Sequence, residues 1–324
     1  MIHIAGYERG MSSRVVVLTG ASSGIGKAAA LAFARRGDRL VLAARGQADL
    51  ASVAAACGGD PLVVPTDVTD CHQVSELAEA AVDRFGRIDV WVDSAAVMAY
   101  GRFEEVPANV FDRVVTTDLL GTANVARTAL RQFRAQGYGT LIVCSSLLAH
   151  VTAPYMSAYA TAKWGLRGLT RTLRQELRDA PDIHVCTLAP GGVDTPIYTS
   201  AANYAGRIGR PPPPVDKPER MADAILRLAD KPKAEMSVGA TNRLFELGFT
   251  VLPPVYDAWV GPLMGRLALS RRTVAPGTGN VFRPAPRVEG GPVRWGRRPI
   301  GAALGLSALA ATTAATAALR RLRR

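Results

Sequence analysis

The stretch VVVLTGASSGIGKAAALAFARR at residues 15–36 predicts the fold of this chain. Its apolar, β-branched start at Val15–Leu18 is typical of a buried strand, and the alanine-rich run at its end is typical of a helix. Gly20, Gly24 and Gly26 lie between the two. Glycines in such a turn permit a tight bend, close approach of the backbone to a pyrophosphate, and close packing of the helix on the strand. The stretch is therefore a candidate dinucleotide-binding turn.

The glycines of this turn are spaced Gly-x-x-x-Gly-x-Gly rather than in the standard Gly-x-Gly-x-x-Gly pattern. A turn that only starts a helix is the alternative interpretation. The helix that follows offers free N–H groups and the positive end of its dipole to a phosphate. The cofactor contacts expected here are the three glycines together with Ser22, Ser23 and Ile25.

Strand and helix patterns alternate from residue 14 to about residue 240. Strands are predicted at Val15–Leu18, Leu40–Ala43, Leu62–Pro65, Val90–Val92, Thr140–Cys144, His184–Leu188 and Met236–Gly239. Helices are predicted at Gly26–Arg36, Val74–Phe85, Asn109–Gln136, Ala158–Arg178 and Pro218–Ala229. This alternation implies βαβ units with right-handed crossovers, and the continuously apolar strands imply a sheet buried on both faces. We expect an α/β fold: a doubly wound Rossmann-type parallel sheet of about seven strands with helices on both faces, plus a C-terminal extension.

Composition divides the chain into four segments. A catalytic domain is expected at residues 12–240, an apolar helical extension at 241–272, a Gly/Pro/Arg-rich linker at 273–299, and an Ala-rich segment with a basic end at 300–324. The uncharged residues of the last segment are numerous enough to cross a bilayer, although they are alanine-rich rather than leucine-rich. A weak membrane anchor, a helix lying on a membrane and a disordered extension all remain open.

The net charge of +12 is concentrated at the C-terminus. Between residues 265 and 324, twelve arginines accompany a single acid, Glu289, so the rest of the chain carries about +1. This asymmetry favours contact of the tail with a membrane surface or another polyanion. No aromatic and basic interleaving supports a nucleic-acid partner, and none is expected.

The four cysteines and four histidines have no metal-ligand spacing, so no metal site is expected. Reduced thiols suit a cytoplasmic protein. We therefore expect a cytoplasmic location, with attachment to the cytoplasmic face of the membrane through the C-terminus left open.

The end of the second predicted strand indicates the type of cofactor. An acid at this point binds the ribose 2′-hydroxyl of NAD, whereas an arginine suits the 2′-phosphate of NADP. The sequence has Ala44 followed by Arg45, so NADP(H) is favoured over NAD(H). A solvated surface arginine is the alternative interpretation.

Tyr159 and Lys163 lie four residues apart in a predicted helix, and Ser146 precedes Tyr159 by 13 positions. Residues spaced i and i+4 share one face of a helix. A free tyrosine has a pKa of about 10, and a nearby ammonium group lowers it by favouring the phenolate. We therefore expect Tyr159 to exchange a proton with a hydroxyl or carbonyl group near neutral pH.

Taken in order, these motifs resemble those of the short-chain dehydrogenase/reductase family in its single-domain form. They cover about residues 13–240 and comprise the glycine turn, Asp67-Val68, Ser146, Tyr159-x-x-x-Lys163 and Pro190-Gly191-Gly192-Val193-Asp194-Thr195. The resemblance implies that Tyr159 is the general acid/base and that Lys163 lowers its pKa and holds the nicotinamide ribose. It also implies that Ser146, rather than Ser145, binds the substrate oxygen.

The resemblance assigns further cofactor contacts along the chain. Asp67 and Val68 would meet the adenine ring, and the small Ala95 would allow close approach of the backbone. The expected contacts around the nicotinamide are Pro190, Gly191, Val193 and Thr195.

Two positions depart from the family pattern. The sequence has Asp93-Ser94-Ala95-Ala96 where the family usually has Asn-Asn-Ala-Gly, and Asp118 where it has a catalytic asparagine. An ionised carboxylate accepts hydrogen bonds but cannot donate them. We expect Asp118 to retain a role in a proton relay at some cost in rate, while a surface aspartate of the helix is the alternative.

The function expected is NADP(H)-dependent transfer of a hydride between nicotinamide and a carbonyl or secondary alcohol. The apolar segments favour a hydrophobic small-molecule substrate, and the family resemblance favours a homo-oligomer. A non-catalytic protein that senses NADP(H) is the alternative, since Asp93 and Asp118 differ from the family.

Overall fold

A parallel sheet of seven strands forms the centre of the structure. The computed structural model describes residues 13–284. The strands in chain order are β1 (Val15–Thr19), β2 (Arg39–Ala44), β3 (Leu62–Pro65), β4 (Val90–Asp93), β5 (Ala99–Tyr100), β6 (Gly139–Cys144), β7 (Ile183–Pro190), β8 (Gly192–Val193), β9 (Ala202–Asn203), β10 (Arg207–Gly209), β11 (Val215–Asp216), β12 (Glu235–Val238) and β13 (Leu269–Thr273). The central sheet has the order β12-β7-β6-β4-β1-β2-β3, and all of its neighbouring strands are parallel. The expected doubly wound fold is thereby confirmed.

Helices cover both faces of this sheet. They are α1 (Gly24–Arg35), α2 (Gln47–Cys57), α3 (Cys71–Phe85), α4 (Ala108–Val115), α5 (Thr122–Gln136), α6 (Ser157–Glu176), α7 (Pro218–Asp230), α8 (Asn242–Val251) and α9 (Pro253–Leu267). Val16 and Leu18 of β1 belong to one apolar cluster with Phe33 of α1, while Val17 belongs to another with Phe133 of α5. Successive strand residues point to opposite faces of a sheet, so burial on both sides explains the uninterrupted apolar runs.

The predicted strands are found within one or two residues of their predicted ends, but one predicted helix is wrong as a single element. The pattern at Asn109–Gln136 is divided into α4, a π-helical turn at Thr116–Gly121 and α5. At Gly121 this segment approaches Val68 so closely that an added Cβ atom would lie 2.7 Å from the valine Cγ2. Packing against the loop after β3 thus accompanies the wider turn, a contact that helical periodicity does not encode. Single-turn π segments of this kind frequently occur at functional sites.

The apolar extension packs onto the carboxyl ends of the strands through α8 and α9. Asn242, the first residue of α8, is 1% exposed, and its Nδ2 donates to the Ala189 and Val238 carbonyls at 3.3 Å and to the Ser237 hydroxyl at 3.0 Å. Strand β13 then pairs with β10 in an antiparallel manner. The chain from residue 274 to 284, expected as the start of a linker, runs back across the body without regular secondary structure.

The expected segment at 300–324 lies outside the described residues, as does most of the linker predicted at 273–299. Within residues 13–284, no helix combines the length and apolar character needed to cross a membrane.

Replacing Asn242 with alanine should destabilise the fold. The substitution removes the donor that bridges the ends of β7 and β12, although the Val238 carbonyl keeps a backbone donor, the Gly191 N–H at 2.8 Å. This loss costs about 1–3 kcal/mol in free energy of unfolding. Urea denaturation measures this change. Asn109→Ala, at an exposed position of α4, is the matched control and should stay within about 0.5 kcal/mol. Equal effects of both substitutions would contradict the anchoring role of Asn242.

Candidate active site

A cleft with a cavity of about 1650 Å³ lies at the carboxyl ends of the central strands. The strand order reverses between β1 and β4, and ligands of open α/β sheets bind at such a switch point. The cavity is lined by the glycine turn, the loop after β4, the start of α6 and the loop after β7. It therefore brings together segments that are far apart in the sequence.

The glycine turn requires its glycines for steric reasons. Gly20 has φ +75°, and an added Cβ atom would lie 2.6 Å from the Ala95 nitrogen. At Gly26 a Cβ atom would lie 2.3 Å from the Gly20 carbonyl oxygen. Gly24 has φ +52° and faces the Thr195 side chain. The backbone cradle that these residues form fits a dinucleotide pyrophosphate, and Ser22, Ser23 and Ile25 line the same cavity.

Tyr159, Lys163 and Ser146 converge on this cavity from two elements. Tyr159 and Lys163 lie on α6 and are 7% and 1% exposed. The Lys163 Nζ lies 5.1 Å from the centre of the Tyr159 ring and donates to the Cys144 carbonyl at 3.4 Å. Ser146 follows β6 and accepts a hydrogen bond from the Leu148 N–H at 3.1 Å. Ser145 is buried instead, and among residues 13–284 its hydroxyl has no hydrogen-bond partner.

The pKa of Tyr159 differs from the sequence-based expectation. Burial raises it above the ordinary value and Asp118 adds to the effect, whereas Lys163 and Ser146 lower it by a smaller amount. The spacing of Tyr159 and Lys163 predicts only the effect of the ammonium group on this pKa. Desolvation, which disfavours the phenolate, depends on the surrounding fold and outweighs the ammonium group here.

Asp118 is fully buried beside Lys163, so the alternative of a surface aspartate is wrong. Its Oδ1 accepts the Val97 N–H at 2.8 Å, and its Oδ2 lies 3.6 Å from the Lys163 Nζ. Burial raises the pKa of Asp118 to about 6, against the opposing effect of Lys163. The π-helical turn aims this carboxylate at the ammonium group.

Asp93 is a second buried carboxylate whose charge interacts with the same ammonium group. It is 2% exposed and accepts a hydrogen bond from the Thr19 hydroxyl at 2.7 Å. Burial raises its pKa, although Thr122, Thr19 and Lys163 oppose the rise. Desolvation also opposes the charge of Lys163, but Tyr159, Asp118 and Asp93 together raise the pKa of its ammonium group. Lys163 is thus held as a cation.

Asp67 and Val68 lie where the cavity meets the loop after β3. Asp67 forms an ion pair with Arg113 of α4 at 2.5 Å and accepts hydrogen bonds from Thr69. Burial alone would raise the pKa of Asp67, but the Thr69 and Arg113 contacts together lower it. Sequence reasoning missed Arg113, because nothing in its local pattern distinguishes it from a surface arginine of a helix.

Arg45 lines the cavity at the end of β2, but it is not a solvated surface side chain. Its Nη1 donates to the Val281 carbonyl at 3.1 Å and its Nη2 to the Asn280 carbonyl at 2.7 Å. Burial lowers its pKa, and Asp67 opposes this shift. These contacts join residues that are 235 and 236 positions apart, so they could not be predicted from the sequence.

The segment after β7 lines the cavity opposite the glycine turn. Pro190, Gly191, Val193 and Thr195 all lie on it, and Ala95 faces them from the loop after β4. A Cβ atom at Gly191 would lie 2.7 Å from the Asn242 Oδ1. Asn242 therefore supports this loop from behind, a role that its sequence context did not indicate.

The other end of the cavity is largely apolar. Its lining there includes Met98, Tyr100, Met156, Tyr198, Phe245, Val260, Leu263 and Met264. Helices α8 and α9 contribute the last four, so the apolar extension forms a wall of the cleft. Within residues 13–284, no group of histidine, cysteine, aspartate and glutamate side chains is arranged to hold a metal ion.

Comparison with known proteins agrees with this geometry. The family model described as short chain dehydrogenase matches residues 14–204, more than half of the chain. A curated dehydrogenase for cis-4-hydroxycyclohexanecarboxylate from Sinomonas cyclohexanicum is 37% identical, with 71% of this chain and 94% of that protein covered. An uncharacterized oxidoreductase, YxnA of Bacillus subtilis, is 32% identical over 78% of this chain and 73% of that protein.

A solved structure supports the same conclusion. The alcohol dehydrogenase from Thermococcus sibiricus, complexed with 5-hydroxy-NADP, superposes with a TM-score of 0.62 at 30% identity. The superposition covers 70% of this chain and 96% of that one. The fold and the site define an oxidoreductase that uses a nicotinamide cofactor and acts on alcohol and carbonyl groups. The chain belongs to the short-chain dehydrogenase family.

Proposed function

We propose that this enzyme transfers a hydride between NADP(H) and a carbonyl or secondary alcohol group of a hydrophobic small molecule. The observation that carries the proposal is the convergence of Tyr159, Lys163 and Ser146 on the cavity that the glycine turn also lines. A proton donor, a cation and a phosphate cradle are thus within one cleft. The comparisons give no support to the alternative of a non-catalytic sensor.

In the reductive direction, Tyr159 donates its proton to the substrate oxygen while Ser146 hydrogen-bonds that oxygen and stabilises the developing negative charge. The bound nicotinamide supplies the hydride in this direction and accepts it in the reverse one. Lys163 remains charged, steadies the phenolate that the proton leaves behind, and lies within the cavity to meet the nicotinamide ribose. Burial of the phenol favours its neutral form, which suits proton donation.

Asp118 fits a relay that carries a proton away from Tyr159 through Lys163 when the substrate alcohol is oxidised. The separation of 3.6 Å between its Oδ2 and the Lys163 Nζ supports this role. Because the pKa of Asp118 is about 6, its carboxylate accepts a proton readily at a pH above this value and poorly at a pH below it. We propose that the relay slows as Asp118 becomes protonated.

Arg45 is the proposed contact for the 2′-phosphate of NADP. Each Nη atom of an arginine carries two N–H groups, so bonds to the Asn280 and Val281 carbonyls leave donors for a phosphate. The solved relative with bound 5-hydroxy-NADP is consistent with this preference. The glycine turn, Asp67, Val68, Ala95 and the segment from Pro190 to Thr195 complete the proposed cofactor contacts.

The apolar end of the cavity supports a hydrophobic substrate. Drug-sized ligands occupy sites of about 300–1000 Å³, so a cavity of about 1650 Å³ has room for a dinucleotide and an apolar molecule together. Homo-oligomer formation, and attachment of residues 300–324 to the cytoplasmic membrane face, stay predictions from the sequence.

Replacing Tyr159 with phenylalanine should lower kcat by about 100-fold to 10,000-fold, because the general acid is lost. NADPH consumption with a panel of ketones and aldehydes measures this loss, and the Kd for NADPH should remain unchanged. Tyr138→Phe is the control, since Tyr138 lies just before β6, at the amino ends of the strands and away from the cleft. Turnover that survives Tyr159→Phe would refute the mechanism.

Asp118→Asn should remove an acidic limb from the pH dependence of kcat. In the oxidative direction the wild-type rate falls as pH drops through about 6, because protonated Asp118 no longer accepts the proton that leaves Tyr159. At pH 5 only about a tenth of a group with this pKa is ionised, so the wild-type rate should fall about tenfold from its plateau. The amide of the variant takes up no proton, so its lower rate should stay level over the same range. Asp112→Asn, at an exposed position of α4, should keep the limb. An unchanged profile in Asp118→Asn would place this residue outside the relay.

Arg45→Ala should lower the ratio of NADPH affinity to NADH affinity by about tenfold, the equivalent of about 1.4 kcal/mol. The loss of a charge-assisted contact with the 2′-phosphate is the cause. Titration of cofactor fluorescence gives both Kd values. Arg39→Ala, at the exposed start of the same strand, should leave the ratio unchanged. A constant ratio in Arg45→Ala would remove this residue from cofactor selection.

A further inference from the structure

Residues Thr278–Pro284, here termed the C-terminal strap, connect two sides of the cofactor cleft. On one side the Asn280 N–H donates to the Ser200 carbonyl at 2.8 Å. Val281 is fully buried in an apolar cluster that also contains Tyr100 and Ala201. The strap is therefore packed into the loop that follows Thr195, beside the substrate end of the cleft.

On the other side the strap reaches the loop after β2. The carbonyls of Asn280 and Val281 accept both Nη donors of Arg45. Pro284 also approaches Gly46, where an added Cβ atom would lie 3.5 Å from the proline Cβ. Asn280 and Pro284 line the same cavity as the glycine turn. The strap thus lies beside the position proposed for the adenosine ribose.

We infer that the strap is part of the dinucleotide site: it positions Arg45 and forms a wall over the adenosine end of the cofactor. This inference rests on the proposed function. A free arginine side chain loses rotamer entropy when it is immobilised. Two carbonyls that hold the guanidinium in advance remove part of that cost from cofactor binding, which is how preorganisation increases affinity.

A separate observation at Asn280 supports the same role. Its Oδ1 atom is buried and, within the described part of the chain, has no hydrogen-bond donor. A buried acceptor without a donor is destabilising in the absence of a ligand. Asn280 lines the cavity, and a hydroxyl group of a bound ribose is the kind of hydrogen-bond donor that its Oδ1 atom lacks.

The strap also joins the cofactor end of the cleft to its substrate end. The residues that grip Arg45 are bonded to Ser200 and packed against Ala201, in the loop that contains Tyr198. Release of a dinucleotide enclosed by the strap requires these contacts to loosen. A displaced strap should therefore raise the dissociation rate of the cofactor as well as its Kd.

Two neighbouring glycines provide a matched pair of variants in the full-length chain. Gly279 has φ +50°, and an added Cβ atom would lie 2.3 Å from the Ser200 carbonyl oxygen, so Gly279→Val should displace the strap. Gly277, just outside the strap, has no atom within 4 Å of an added Cβ, so Gly277→Ala should leave the strap in place. Melting temperatures establish that both variants fold.

Cofactor fluorescence then gives the Kd and the dissociation rate for NADPH and for NADH. Gly279→Val should weaken NADPH binding about tenfold, or about 1.4 kcal/mol, and NADH binding by less. Gly277→Ala should match the wild type. Unchanged or tighter binding in Gly279→Val overturns the role of the strap while the proposed function stands. A wild-type chain that binds neither dinucleotide overturns the proposed function and this inference together.

Hydrogen exchange on the unmodified chain provides a second measurement that does not depend on any variant. Addition of NADPH should slow amide exchange in peptides that cover residues 278–284, because a wall of the site becomes fixed by its ligand. Peptides from α3, which does not line the cavity, should serve as the reference. Equal exchange in the strap with and without saturating NADPH would overturn the inference even if Gly279→Val failed to fold.

Discussion

The close approach of the glycine turn to the loop after β4 is the constraint on which the site depends. Gly20 and Gly26 are so near to Ser94 and Ala95 that no side chain fits at either glycine. The same loop continues to Val97, whose N–H fixes the Asp118 carboxylate, and Asp118 in turn lies beside Lys163. The glycine turn and Lys163 are therefore connected through a few short contacts.

Lys163 is held in a buried site that contains more acid than the family pattern provides. Two carboxylates and a phenol interact electrostatically with one ammonium group, and all four groups are almost fully removed from solvent. Removing one partner from a buried ionic cluster leaves an uncompensated charge, which is far more costly than losing an exposed ion pair. Desolvation also raises the pKa of both aspartates, so the charge of this cluster depends on pH in a range where an exposed aspartate stays ionised.

Residues 242–284, the last part of the described chain, complete the cleft. Helices α8 and α9 form an apolar wall, Asn242 supports the loop at Gly191, and the strap holds Arg45. The composition of residues 241–272 predicts an apolar helical extension, since the apolar spacing is local. Composition could not predict which surface those helices would cover, because that depends on contacts between residues more than 50 positions apart.

Local periodicity and short motifs are sufficient to predict the alternation of strands and helices, the glycine turn, and the spacing of Ser146, Tyr159 and Lys163. The environment of those residues depends on the folded chain. The tertiary structure interrupted the helix at Thr116–Gly121, buried Asp118 against Lys163, raised the pKa of Tyr159 instead of lowering it, and brought Asn280 and Val281 to Arg45. Burial and long-range contacts arise from packing of the whole chain, and no local pattern of residues records them.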